Sequence, residues 1–109
     1  VHICGEAEHN FTASPERYKK YPGDLFNWDV HRDHFTLEQG REYFGKPVLG
    51  GLDNHGILIH GSAEDIAGET RRIIGSFGKK GLMIGADCTV PADIDVNRLR
   101  AAVMAAREV

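Results

Sequence analysis

The sequence predicts an α/β fold, with four consecutive βα units and parallel strands. Three observations carry this. Short apolar runs alternate with stretches of helical periodicity along the chain. Capping residues and glycines mark where the helices begin and end. Residues of chemical interest recur just past the apolar runs, at strand carboxyl ends: His2 and Cys4, then Asp29, Asp53, and Asp87 with Cys88. Connections of this kind make right-handed crossovers between parallel strands. Four units form either a small open sheet or half of an eight-stranded barrel, and in both cases ligands gather at the carboxyl ends of strands.

The first strand covers about 1–4 and runs into Gly5. Side chains alternate faces in a strand, so His2 and Cys4 point one way and Ile3 the other. Next, Asn10-Phe11-Thr12-Ala13 leads to Ser14-Pro15-Glu16, an N-cap with proline at the first helical position. That helix is expected to carry Tyr18 and Tyr21 and to stop at Pro22-Gly23. The second strand spans 24–29. Thr36-Leu37-Glu38-Gln39 is a capping box that opens a helix to about Phe44.

The third strand covers 47–52 and ends at Asp53. Residues 55–61 are a short strand or one helical turn, and periodicity leaves both open. Ser62 caps the clearest helix, with Asp65 three residues on. Ile66, Thr70, Ile73, Ile74 and Phe77 share one face of it, and Gly78 follows its end. Gly81 to Ala86 is the fourth strand. Asp93 or Asp95 caps a last helix with Val96, Leu99, Val103 and Ala106 along one side.

The chain has 109 residues and a formal charge of −3. Near-balanced charge gives no electrostatic case for nucleic acid or an anionic membrane. No apolar run approaches the ~20 residues that a membrane helix needs. Two cysteines are too few for a secreted disulfide framework, so a reducing, cytoplasmic setting is expected. The chain begins without Met, inside an apparent strand, and is expected to be part of a longer protein.

If the first and fourth strand ends are neighbours, His2, Cys4 and Cys88 form a soft nitrogen and sulfur set. Such a set suits zinc, with a fourth position open to substrate or a weak ligand. Without metal and under oxidant, the two cysteines would form a disulfide instead. Other polar residues have plainer readings beside the functional ones. Asp29 either satisfies backbone amides at its strand end or serves the metal. Asp53 is read as a cap for the following turn. Glu6 and His9 are read as solvated loop residues, and His31, His34, His55 and His60 as surface or loop residues that fit no standard metal spacing. Trp28 and the Ile66/Ile73/Phe77 ridge are read as core.

The stretches Leu49-Gly50-Gly51-Leu52-Asp53, Gly61-Ser62-Ala63-Glu64-Asp65-Ile66 and Asp87-Cys88-Thr89-Val90-Pro91, with Asn97 and the closing helix, resemble the carboxyl-terminal part of the uroporphyrinogen decarboxylase superfamily. The resemblance covers nearly the whole chain. It implies a (β/α)8 TIM barrel of which 1–109 is the C-terminal half. The decarboxylases of that superfamily use no metal and typically carry a histidine at the position aligned with Cys88. Its cobamide-dependent methyltransferases carry a His-x-Cys…Cys zinc motif, which His2-Ile3-Cys4 and Cys88 match.

On that resemblance, His2, Cys4 and Cys88 bind Zn²⁺. Asp29, which aligns with a glutamate of those relatives, is a weak ligand that the methyl acceptor displaces. The donor is a corrinoid (cobalamin) carried by a partner protein or held at the barrel mouth, and the acceptor is a small molecule of thiol type. Asn54 stands where a proline is usual, so acceptor recognition is expected to differ from that of the coenzyme M enzymes. A carboxylate or carbonyl is expected on the free ring nitrogen of His2, with Asp87 as candidate. Two other functions stay open: a metal-free, decarboxylase-like enzyme of tetrapyrrole biosynthesis, and a non-catalytic half-barrel that pairs as a homodimer to cover its edges.

Overall fold

The computed structural model describes residues 1–5 and 13–109. Four strands form one parallel sheet: β1 (His2–Ile3), β2 (Phe26–Trp28), β3 (Val48–Leu52) and β4 (Leu82–Ala86), in spatial order β1-β2-β3-β4. Among the described residues four α-helices accompany them: α1 (Leu37–Phe44), α2 (Ile57–His60), α3 (Ala63–Phe77) and α4 (Val96–Arg107). This is the four-unit α/β arrangement expected, and it corresponds to half of a TIM barrel. Glu6 and His9 lie outside the described residues.

The aromatic centre of the core lies between β2 and α1. Phe26 and Trp28, on one face of β2, are fully buried. Phe44 stacks on Phe26 with ring centroids 4.2 Å apart. Trp28 also donates its indole N–H to Phe35 O at 2.7 Å. The tightest contact is at Gly40, where a Cβ would stand 1.9 Å from the Trp28 ring. Glycine there lets α1 lie directly on the indole.

Both capping boxes form. Thr36 accepts from Gln39 N–H at 3.0 Å and Ser62 from Asp65 N–H at 3.1 Å, and each partner side chain reaches back to the cap's N–H. Ile66, Thr70, Ile73, Ile74 and Phe77 are all buried on the inner face of α3. The segment at 55–61 resolves as the helical turn α2. Gly56 is the N-cap of α2, with no side-chain cap bond, and Asp53 instead closes the turn before it, accepting from His55 N–H at 3.0 Å, as the cap of a following turn would.

Two elements differ from expectation. After Ser14 the chain makes only a 3₁₀ turn, Pro15–Tyr18, without a side-chain cap bond, and Tyr21 lies beyond it. The stretch has no apolar face to hold a longer helix: Pro15 is its only buried residue. In α4, Asp95 is the cap, accepting from Asn97 N–H at 2.9 Å, but the buried side is not the predicted one. Ala102 and Ala105 are buried, while Val96 and Val103 are 59% and 48% exposed. Alanines let α4 approach α3 closely, and the bulkier residues are turned outward. Leu99 and Val103 there line an apolar groove of about 570 Å³ with Leu52, Leu82 and Ile84.

Candidate functional site

His2 and Cys4 share a face because Ile3 between them is turned into the core. Cys88 follows β4 by two residues. β1 and β4 are the two ends of the sheet, yet their ligands meet. The sulfurs of Cys4 and Cys88 are 3.7 Å apart, and Sγ of Cys88 is 3.5 Å from Nε2 of His2. One atom from each of the three residues lies within 4.8 Å of the other two. Two sulfurs and a nitrogen around one tetrahedral ion, at about 2.3 and 2.0–2.1 Å, would be separated by about 3.8 and 3.6 Å. The two separations from Cys88 therefore match one shared ion, and the third pair, Cys4 and His2, lies within 4.8 Å.

The remaining ring nitrogen of His2 does not meet Asp87. Nδ1 pairs with Oδ1 of Asn27, its cross-strand partner on β2. The amide nitrogen of Asn27 donates to Leu49 O at 2.8 Å and to Ala86 O at 3.3 Å, so this one side chain touches β1, β3 and β4. Gly50 lies beside it: a Cβ there would make ordinary contact with the Asn27 amide at 3.5 Å but would crowd the Asp87 carboxylate at 3.1 Å. Gly50 also has φ +145, which disfavours any other residue.

Asp87 serves a second cluster, with Asp29 and His31. It is fully buried. Its Oδ1 accepts from Gly51 N–H at 2.7 Å and its Oδ2 pairs with Nδ1 of His31 at 2.6 Å. That bond holds the His31 imidazole above its ordinary pKa against the opposing effect of burial. Asp29, 8% exposed, accepts with Oδ1 from the amides of His31 and Arg32 at 3.1 and 3.0 Å. The structure thus groups Asp29 with His31 and Asp87 rather than with the thiols, and satisfies backbone amides with it.

Beside this cluster lies a polar cavity of about 410 Å³, lined by Asp29, His31, Arg32, His34, Asp53 and His55. It opens where β2 and β3 end, as expected of a ligand site in this class of fold. His31, His34 and His55, read from sequence as surface or loop residues, therefore face a common space. His60 closes α2 and is exposed.

Sequence reasoning missed Asn27 and His31. The signal for Asn27 was present: a polar residue between two buried aromatics on a strand must face the other side, where His2 is. His31 gave no such signal, because its partner Asp87 is distant in sequence and only the fold joins them.

Comparison with known proteins gives one family. The family model for uroporphyrinogen decarboxylase (URO-D) matches residues 1–109. No match to a curated protein or to a solved structure was found. With a match over the whole sequence and a parallel four-strand sheet of the kind a TIM barrel contains, the chain belongs to the uroporphyrinogen decarboxylase family.

Proposed function

We propose that this chain is the C-terminal half of a zinc-dependent methyltransferase that moves a methyl group from a corrinoid to a thiol-type acceptor. One observation carries the reading: Sγ of Cys88 stands 3.7 Å from Sγ of Cys4 and 3.5 Å from Nε2 of His2, the spacing of ligands on a single tetrahedral ion, with all three ligand atoms within 4.8 Å of one another. The set is neutral when filled, two thiolates and one imidazole balancing Zn²⁺, and it leaves one position for the acceptor. Zinc supplies a deprotonated, electron-rich sulfur near neutral pH, where a free thiol of pKa about 8.5 is mostly protonated.

The chain's residues have distinct parts in this scheme. His2, Cys4 and Cys88 hold the ion. Asp29 belongs to the second cluster with His31 and Asp87, so its part is to hold the loop after β2, and the fourth position on the ion is left to the acceptor. Because its Oδ1 already holds the amides of His31 and Arg32, Asp29→Ala is expected to loosen that loop as well as slow transfer. The polar cavity beside it receives the acceptor. The methyl-bearing corrinoid is a substrate, delivered by a partner protein.

Metal analysis tests the proposal. Purified protein is expected to hold one zinc per chain, and Cys88→Ser and His2→Ala are each expected to abolish stoichiometric binding, since three ligands act as one site. Protein that refolds without metal and takes up none supports the second reading, a metal-free decarboxylase-like enzyme acting on a tetrapyrrole, which the family's name favours.

A further inference from the structure

We infer that Asn27 is a positioning residue that fixes the tautomer of His2 and presents its Nε2 to the metal. The inference rests on the zinc reading above and adds a residue to it. The logic is one of donors and acceptors. The Asn27 amide nitrogen lies 2.8 and 3.3 Å from the carbonyl oxygens of Leu49 and Ala86. Carbonyl oxygens only accept, so the NH₂ end of the amide must face them. The oxygen end is then turned toward Nδ1 of His2. An amide oxygen cannot donate, so Nδ1 carries the proton. In a neutral imidazole the lone pair then belongs to Nε2, the atom 3.5 Å from Sγ of Cys88.

The arrangement resists inversion. Flipping the amide would set its oxygen against two carbonyl oxygens and its NH₂ against Nδ1. The two oxygen–oxygen contacts come from backbone atoms of β3 and β4, which the parallel pairing fixes in register. The imidazole orientation is thereby tied to the three strands that bring Cys88 beside Cys4. Histidines that bind metals through one nitrogen commonly donate from the other, and loss of such a partner typically costs 10–100-fold in metal affinity.

Two variants separate this role from strand-tying. Asn27→Asp keeps an oxygen for His2 and loses the donors to Leu49 and Ala86. Asn27→Leu loses both. Zinc affinity, measured by competition with a chromophoric chelator, is expected to fall 10–100-fold in Asn27→Leu and to stay within about threefold of wild type in Asn27→Asp, although the latter melts at a lower temperature. Zinc affinity that tracks melting temperature across the pair overturns the inference, because Asn27 would then act only as a strand tie. So does an Asn27→Leu protein that binds zinc as tightly as wild type.

Nitrogen NMR of wild-type His2 gives a readout independent of either variant's folding. The proton is expected on Nδ1 in the zinc-loaded protein, and a proton on Nε2 overturns the assignment. A wild-type chain that takes up no zinc overturns the metal reading, and the inference falls with it. A chain that binds zinc with Asn27 dispensable overturns the inference alone.

Discussion

Asp33 shows how the loop after β2 responds to proton concentration. Burial, reinforced by repulsion from Asp29, pushes its carboxyl from the ordinary 3.8 up to about 6, while the Ala13 amide and Arg32 oppose the shift. A carboxyl raised on folding binds its proton more tightly in the native state. The fold therefore loses stability as pH climbs from about 4 to about 6 and stays lower above that. Asp33→Asn is expected to leave stability unchanged near pH 4 and to raise it near pH 7 by on the order of 1 kcal/mol, a figure discounted for partial exposure. Chemical denaturation at the two pH values checks this, and equal effects at both would refute it. At this scale His2, Cys4 and Cys88 were legible because a strand's alternation and its carboxyl end are written in local sequence. Asn27, His31 and the true partners of Asp87 were not, since each depends on a neighbouring strand or loop.

The helices that were legible are those whose ends carry reciprocal caps. Ser62→Ala breaks the α3 box at its cap and is expected to cost about 1 kcal/mol, read as a lowered unfolding midpoint. Gly40→Ala on α1 acts differently. The added methyl meets the Trp28 ring, so the helix must lift or the indole must turn, at a cost of about 1–3 kcal/mol. Helix propensity alone favours alanine there by about 1 kcal/mol, so a net stabilisation would contradict the close contact described. The face of α4 was misread because apolar periodicity identifies a stripe without saying what covers it. Ala102 and Ala105 carry the contact through their small size, while Val96 and Val103 point outward. The 3₁₀ turn at Pro15–Tyr18 was overread for a related reason: a start signal does not make a helix when no apolar face follows.

For the whole molecule, four parallel strands leave the outer edges of β1 and β4 without a strand partner among the described residues, and the apolar groove beside β4 stays open. The 109-residue chain alone is expected to associate with a second copy and cover these surfaces, with light scattering giving a mass that rises with concentration. A constant monomer mass would contradict that expectation. Among the described residues no helix is long and apolar enough to cross a membrane. The topology was legible from the βα alternation, because each crossover admits a single hand. What the alternation could not convey is that the first and last strands, with two strands between them in the sheet, hold side chains that meet. X-ray absorption at the zinc edge of the metal-loaded chain tests that convergence most directly. Two sulfurs at about 2.3 Å with one imidazole nitrogen and one further light atom are the predicted shell. A shell of light atoms alone, or one that keeps both sulfurs in Cys88→Ser, would contradict it.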